Sequence, residues 1–134
     1  MILFRDLFYD LTEKFLVDFK DTASYEAELL IREAFGFSKT DFVLGLDDTV
    51  KSLSSLKKLE GWVEERLKGV PLDLVVGNTV FCGKTYLVES GVLLPRPETE
   101  LLVEAARNVV KTSFDRKPFN CFELGFGSGV ISIE

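Results

Sequence analysis

Between Phe4 and Phe19 the apolar residues fall at positions 4, 7, 8, 11, 15 and 19, while Arg5, Asp6, Asp10, Glu13 and Lys14 take the other faces. That spacing predicts an amphipathic helix. Asp21, Thr22 and Ser24 offer a break and a cap. A second helix is predicted from about Tyr25 to Phe35, with Leu29, Leu30 and Ala34 inward and Gly36 as its stop. Ser38-Lys39-Thr40-Asp41 opens a short third helix through Phe42, Val43 and Leu44. A fourth is predicted over Ser52 to Lys68, with Leu53, Leu56, Leu59, Val63 and Leu67 inward and Gly69 after its end. Four amphipathic helices with short joints predict an all-α helical bundle over residues 1–70.

The pattern changes after Gly69-Val70-Pro71. Thr79 to Cys82 and Thr85 to Val88 are rich in strand formers, with Gly83-Lys84 between them. Gly-X suits a two-residue type II′ turn, so residues 71–96 read as a β-hairpin linker. Gly91 ends the second strand, and Val92-Leu93-Leu94 leads to Pro95-Arg96-Pro97. A helix is predicted from about Glu98 to Lys111, followed by a polar, Pro-containing loop and a short apolar strand from Phe119 to Leu124. That strand ends in Gly125-Phe126-Gly127-Ser128-Gly129, and a helix begins at Val130. A lone strand cannot pair its backbone groups or bury both faces. Residues 97–134 therefore read as the start of an α/β domain, and the chain as the front part of a longer protein.

Composition narrows the function classes. The chain has 134 residues, 46 % of them apolar and 28 % charged, an ordinary globular balance. Sixteen Lys and Arg against 22 Asp and Glu give a net charge of −6, which argues against direct binding to a nucleic-acid backbone. Lys20, Lys51, Lys57 and Lys58 form no basic stripe. The absence of histidine removes Ser-His-Asp and Cys-His catalysis and histidine metal sites. Cys82 and Cys121 allow one disulfide, with two reduced thiols the expected state. No window approaches 18 uncharged apolar residues, and the opening MILFRDLFYD carries charges inside its apolar run. No membrane segment or secretory signal is expected, and the expected location is the cytoplasm. Phe4, Phe8, Phe15, Phe19 and Trp62 are expected to serve as packing, and Glu64, Glu65, Arg66 and Lys68 as a solvated face.

Two segments carry candidate chemistry. Glu123-Leu124-Gly125-Phe126-Gly127-Ser128-Gly129 follows an apolar run and opens a helix. Alternate glycines let the chain turn tightly and a ligand approach the backbone. The dinucleotide pattern G-x-G-x-x-G fails in both registers, since Val130 or Ser132 stands where its third glycine belongs. The pattern is acidic-x-G-x-G-x-G, the form of an S-adenosylmethionine loop; it also serves as a plain strand-to-helix turn. The second segment is Val92-Leu93-Leu94-Pro95-Arg96-Pro97-Glu98-Thr99-Glu100. Pro97 suits the first turn of a helix, and Glu98 and Glu100 complement its dipole.

Taken together, V-L-L-P-R-P-E-T-E and E-L-G-F-G-S-G resemble the PrmC/HemK family of release factor protein-(glutamine-N5) methyltransferases. Tyr25-Glu26-Ala27-Glu28-Leu29-Leu30, the residues Arg66, Gly69, Pro71-Leu72 and Gly77, and Phe81-x-Gly83 extend the resemblance over nearly the whole chain. It implies a multi-domain α and β architecture: an N-terminal all-α bundle that recognises substrate, a β-hairpin linker, and the truncated start of a Rossmann-like α/β S-adenosylmethionine-dependent methyltransferase domain. It implies S-adenosylmethionine as cofactor, a peptide chain release factor as partner, and the amide N5 of the glutamine in Gly-Gly-Gln as methyl acceptor in translation termination. By that resemblance Gly125, Phe126, Gly127, Ser128 and Gly129 wrap the cofactor's methionine part, and Glu123 supports the loop and the cofactor's polar end. Pro97, Glu98 and Thr99 lie near the same pocket.

The chain departs from the family at Phe126, where a small residue is usual, and at Asp73-Leu74, where Gln-Tyr is usual. The family's catalytic Asn-Pro-Pro-Tyr is absent and is expected beyond Glu134, so no catalytic residue is assigned and these residues alone are expected to be inactive. The alternatives are another S-adenosylmethionine-dependent N-methyltransferase, acting on adenine or a different protein glutamine, and a non-catalytic protein-binding module.

Overall fold

The computed structural model describes residues 2–114 and 118–134, so the polar loop expected before Phe119 lies partly outside the described residues. The chain divides into two compact units, Met1–Val76 and Gly77–Glu134.

The first unit is helical. α1 spans Phe4–Phe19, and a 3₁₀ turn, Lys20–Thr22, leads into α2, Ala23–Phe35. α3 covers Lys39–Leu44, α4 Leu53–Leu67 and α5 Leu72–Val76. α1 packs on α2, α2 on α4, and α5 on both α2 and α4. The core holds Phe4, Leu11, Phe15, Ala23, Ala27, Leu30, Ile31, Ala34, Phe42, Leu59, Val63 and Val75. Phe8, Phe19 and Trp62 are partly buried against it, so the aromatic stripe is packing as expected. Phe4 meets the rings of Phe35 and Phe37 edge-on at 4.9 and 5.1 Å, a geometry that aromatic quadrupoles favour.

Local chemistry explains the helix ends. Gly36 closes α2 at φ 73°, and its N–H donates to the Arg32 carbonyl. Ser38 and Asp41 form a reciprocal cap on α3: Asp41 N–H donates to Ser38 Oγ, and Ser38 N–H to Asp41 Oδ2, each at 3.1 Å. The Ser38 hydroxyl, which donates to Asp41 Oδ2 at 2.6 Å, and then the Ser38 N–H hold the Asp41 carboxyl below its usual pKa. Ser52 caps α4 by accepting from Ser55 N–H at 3.2 Å.

Four expectations for this unit are corrected. The helix start after Asp21 has no side-chain cap; the Thr22 hydroxyl instead lies 2.9 Å from Glu26 Oε1. Leu53 is 75 % exposed rather than inward, because it sits roughly 100° round the helix from the stripe of Leu59 and Val63. Arg66 is largely enclosed, at 14 % side-chain exposure, and does not belong to a solvated face. The fifth helix was not expected, since five residues between Pro71 and Gly77 are too few to show a period.

The second unit contains a two-stranded antiparallel sheet, β1 Asn78–Phe81 and β2 Lys84–Leu87, then α6, Thr99–Ser113, and α7, Val130–Ile133. Phe81 pairs with Lys84, so the hairpin loop is Cys82-Gly83, one residue earlier than expected. Both loop residues have positive φ, 49° and 74°, which makes the turn type I′ rather than II′. Thr79 and Phe81 are on the buried side of β1. Phe81, Val103 and Val130 form a small core, with Cys82, Tyr86 and Ile131 packed against it.

The strand expected over Phe119 to Leu124 is not formed: among the described residues, 118–123 join no ladder. Phe122 is 88 % and Leu124 96 % exposed. An apolar run with no neighbouring strand has nothing to pair its amides, so it stays irregular. After the hairpin, the described residues of the second unit thus supply α6, the glycine segment and α7, and no parallel strand. No helix of the described residues is long and apolar enough to cross a membrane.

Candidate functional site

The expected site residues converge only in part. A cavity of about 140 Å³ in the second unit is lined by Leu93 to Arg96, Thr99, Glu123, Gly125 to Gly127, Val130 and Ile131. It brings together the Pro-Arg-Pro segment and the glycine loop, and of the candidate site residues Thr99, Glu123, Gly125, Phe126 and Gly127 line it. Pro97, Glu98, Ser128 and Gly129 do not line it. Pro97 and Glu98 are instead exposed at the entry to α6, where the Pro97 carbonyl accepts from Glu100 N–H at 3.0 Å. Ser128 borders a neighbouring cavity of about 210 Å³, together with Leu87 to Glu89, Val92 and Leu93.

Backbone geometry accounts for the glycines. Gly125, Gly127 and Gly129 have φ of 71°, 52° and 74°, a region where a side chain is strained. A Cβ at Gly125 or Gly129 would meet no atom within 4 Å. These two positions therefore require glycine for conformation, not for lack of space. Gly129 N–H donates to the Phe126 carbonyl at 2.7 Å and closes the turn. Phe126 is 68 % exposed.

Glu123 joins the two sides of the loop. Its Oε2 accepts from Ser132 N–H at 3.1 Å and from the Ser132 hydroxyl. Its Oε1 is buried and has no hydrogen-bond partner among the described residues. A buried carboxylate oxygen without a donor is costly, and it suits a ligand hydroxyl or ammonium group. Ligand sites for drug-sized molecules run to about 300 Å³ or more, so the 140 Å³ cavity is too small for a whole S-adenosylmethionine-sized molecule. The residues fit the polar end of such a cofactor.

Sequence reasoning missed Ser132, whose two donors fix Glu123. The distance from Glu123 to Ser132, nine positions, spans the whole loop, and no local pattern announces it. It also missed the surroundings of Glu134, where Lys84, Tyr86 and Arg107 meet.

A helical bundle followed by a hairpin and a glycine loop defines a two-unit α and β protein. Residues 10–77 match the family described as the PrmC N-terminal domain, and the chain belongs to that family. It is 33 % identical over 115 residues to the release factor glutamine methyltransferase of Haemophilus influenzae, covering 84 % of this chain and 39 % of that protein. It is 38 % identical over 115 residues to the protein of the same name from Dictyoglomus turgidum, with 84 % and 38 % covered. Against the Agrobacterium fabrum protein of that name it is 34 % identical over 109 residues, with 81 % and 37 % covered. The chain thus spans about two-fifths of the length of these relatives.

Proposed function

We propose that this chain is the substrate-recognition and cofactor-loop portion of a release factor glutamine methyltransferase of the cytoplasm. The observation that carries the reading is the meeting of the Pro-Arg-Pro segment and the glycine loop at one cavity, beside the unpartnered Glu123 Oε1. Family membership and the names of the relatives support it.

In this reading residues 1–70 bind a peptide chain release factor and present the glutamine of its Gly-Gly-Gln segment. Residues 71–96 link the bundle to the site, and residues 97–134 begin the methyltransferase domain. Bound S-adenosylmethionine supplies an electrophilic methyl group. Glu123 Oε1 accepts a hydrogen bond from the cofactor's polar end, while Glu123 Oε2 and Ser132 keep the loop closed. Gly125, Gly127 and Gly129 hold the backbone in the left-handed turn that admits a ligand, with Phe126 and Thr99 at the cavity and Pro97, Glu98 and Ser128 outside its lining. None of these residues activates the amide nitrogen. The sequence contains no Asn-Pro-Pro-Tyr, and the 134 residues alone are proposed to be inactive and to hold S-adenosylmethionine only weakly. Catalysis here would rest on positioning the two reactants.

Calorimetry of the chain against a release factor tests the recognition role. Saturable one-to-one binding is expected. No heat of binding at concentrations up to about 100 μM, a level that detects even weak transient contacts, would contradict it.

A further inference from the structure

α7 has only four residues and one buried side chain, Val130. So short a helix does not hold itself, because nucleation costs more than one turn returns. Two polar anchors hold it instead. Near its middle, Ser132 binds Glu123. After its end, the Glu134 carboxylate is met from three directions. Tyr86 donates its hydroxyl to Oε1, Lys84 Nζ lies 3.1 Å from Oε2, and the Arg107 guanidinium donates to Oε2. The Glu134 side chain has no exposed surface, although Lys84 and Arg107 are themselves more than half exposed. Lys84 and Tyr86 lie on β2 and Arg107 on α6. Glu100 of α6 reaches the same hairpin, accepting from the Cys82 N–H at 2.8 Å.

We propose that Glu134 is a positioning residue for the glycine loop, its enclosed carboxylate tying β2, α6 and α7 into one frame that fixes residues 125–129 from outside the pocket. Neither Glu134 nor Tyr86 lines the cavity beside the loop. The hairpin would thereby set the order of the loop without touching a ligand. The functional meaning rests on the cofactor reading of residues 125–129; the frame itself does not. The elevated Tyr86 pKa, about 12 through its bond to Glu134 first and burial second, agrees with a close phenol–carboxylate pair.

The test uses the chain as it is, with Glu134→Gln and Tyr86→Phe. Amide exchange is read at residues 125–133, with α1 and α2 as internal control, alongside ultraviolet titration of the tyrosines. We expect exchange at 125–133 to rise by about tenfold or more in both variants, with α1 and α2 unchanged, as befits local rather than global opening. In Glu134→Gln the most basic tyrosine transition moves down from about 12 toward the ordinary 10. Unchanged exchange at 125–133 in both variants overturns the proposal, as does an unmoved tyrosine transition. If the variants loosen the loop while S-adenosylmethionine protects residues 125–129 in no form of the complete reading frame, the frame stands and the cofactor reading fails.

Discussion

Arg66 Nε donates to Glu26 Oε2 at 2.6 Å across forty positions of chain, joining the end of α4 to the first turn of α2. Arg66 Nη2 adds a bond to Glu26 Oε1 at 3.1 Å, and Nη1 reaches the Val70 carbonyl at 3.3 Å. The guanidinium also stacks 3.7 Å from the Phe19 ring centroid. One side chain thus fastens α2, the end of α1 and the chain leading into α5. Removing one member leaves the other buried without its partner. Arg66→Ala should destabilise the first unit by about 3 kcal/mol in urea unfolding. Arg66→Lys should recover only part of this, because lysine cannot make the two-pronged bond. Equal stability of Arg66→Ala and the parent would show that the pair contributes nothing.

Phe15 is fully buried and packs edge-on against Phe19 at 5.4 Å. Phe15→Ala should cost about 3–5 kcal/mol, the usual range for emptying such a site. A drop in the denaturation midpoint without a change in slope would confirm that the loss is packing.

Cys82 occupies the first position of a type I′ turn at φ 49°, where asparagine is favoured and cysteine is not. Cys82→Asn should stabilise the hairpin by about 0.5 kcal/mol, by analogy with relieving left-handed strain. Increased amide protection at Thr79 to Tyr86 is the expected readout, and decreased protection would count against the assigned turn.

The Glu134 cluster makes the second unit sensitive at both ends of the pH scale. The Tyr86 hydrogen bond, first, and then Lys84 and Arg107 hold the Glu134 carboxyl below its ordinary 4.5. A depressed carboxyl contributes its full stabilisation above the unfolded value and loses it as pH falls through the folded one. Tyr86 is the reverse case: its contribution is full below 10 and disappears as pH rises through about 12. Protection of α7 amides, measured from pH 7 to 3 and corrected for intrinsic exchange, should therefore decline below about 4.5 and do so less in Glu134→Gln.

The bundle was largely legible because α1, α2 and α4 each bury one stripe, and a stripe leaves a period in the sequence. Leu53 misled because it continues the leucine spacing while standing round the corner of the helix. Arg66 misled because its neighbours Glu64, Glu65 and Lys68 are solvent-facing, and its partner is forty positions away. The hairpin was found from strand formers around a glycine, but its register depended on whether Cys82 would accept positive φ. The glycine loop was readable because its φ values exclude side chains. The anchors around it, Ser132 and Glu134, are ordinary residues whose roles arise only when α6, α7 and β2 meet. The strand at Phe119 to Leu124 was read from composition alone, and a strand needs a partner that composition does not supply.

The central claim is glutamine methylation of a release factor by the protein to which these residues belong. The most direct measurement expresses the complete reading frame containing them and follows methyl label from S-adenosylmethionine into a release factor. Label on the glutamine of Gly-Gly-Gln, abolished when that glutamine is replaced, is the predicted result. No transfer to the release factor, or transfer that persists after the replacement, would contradict the account.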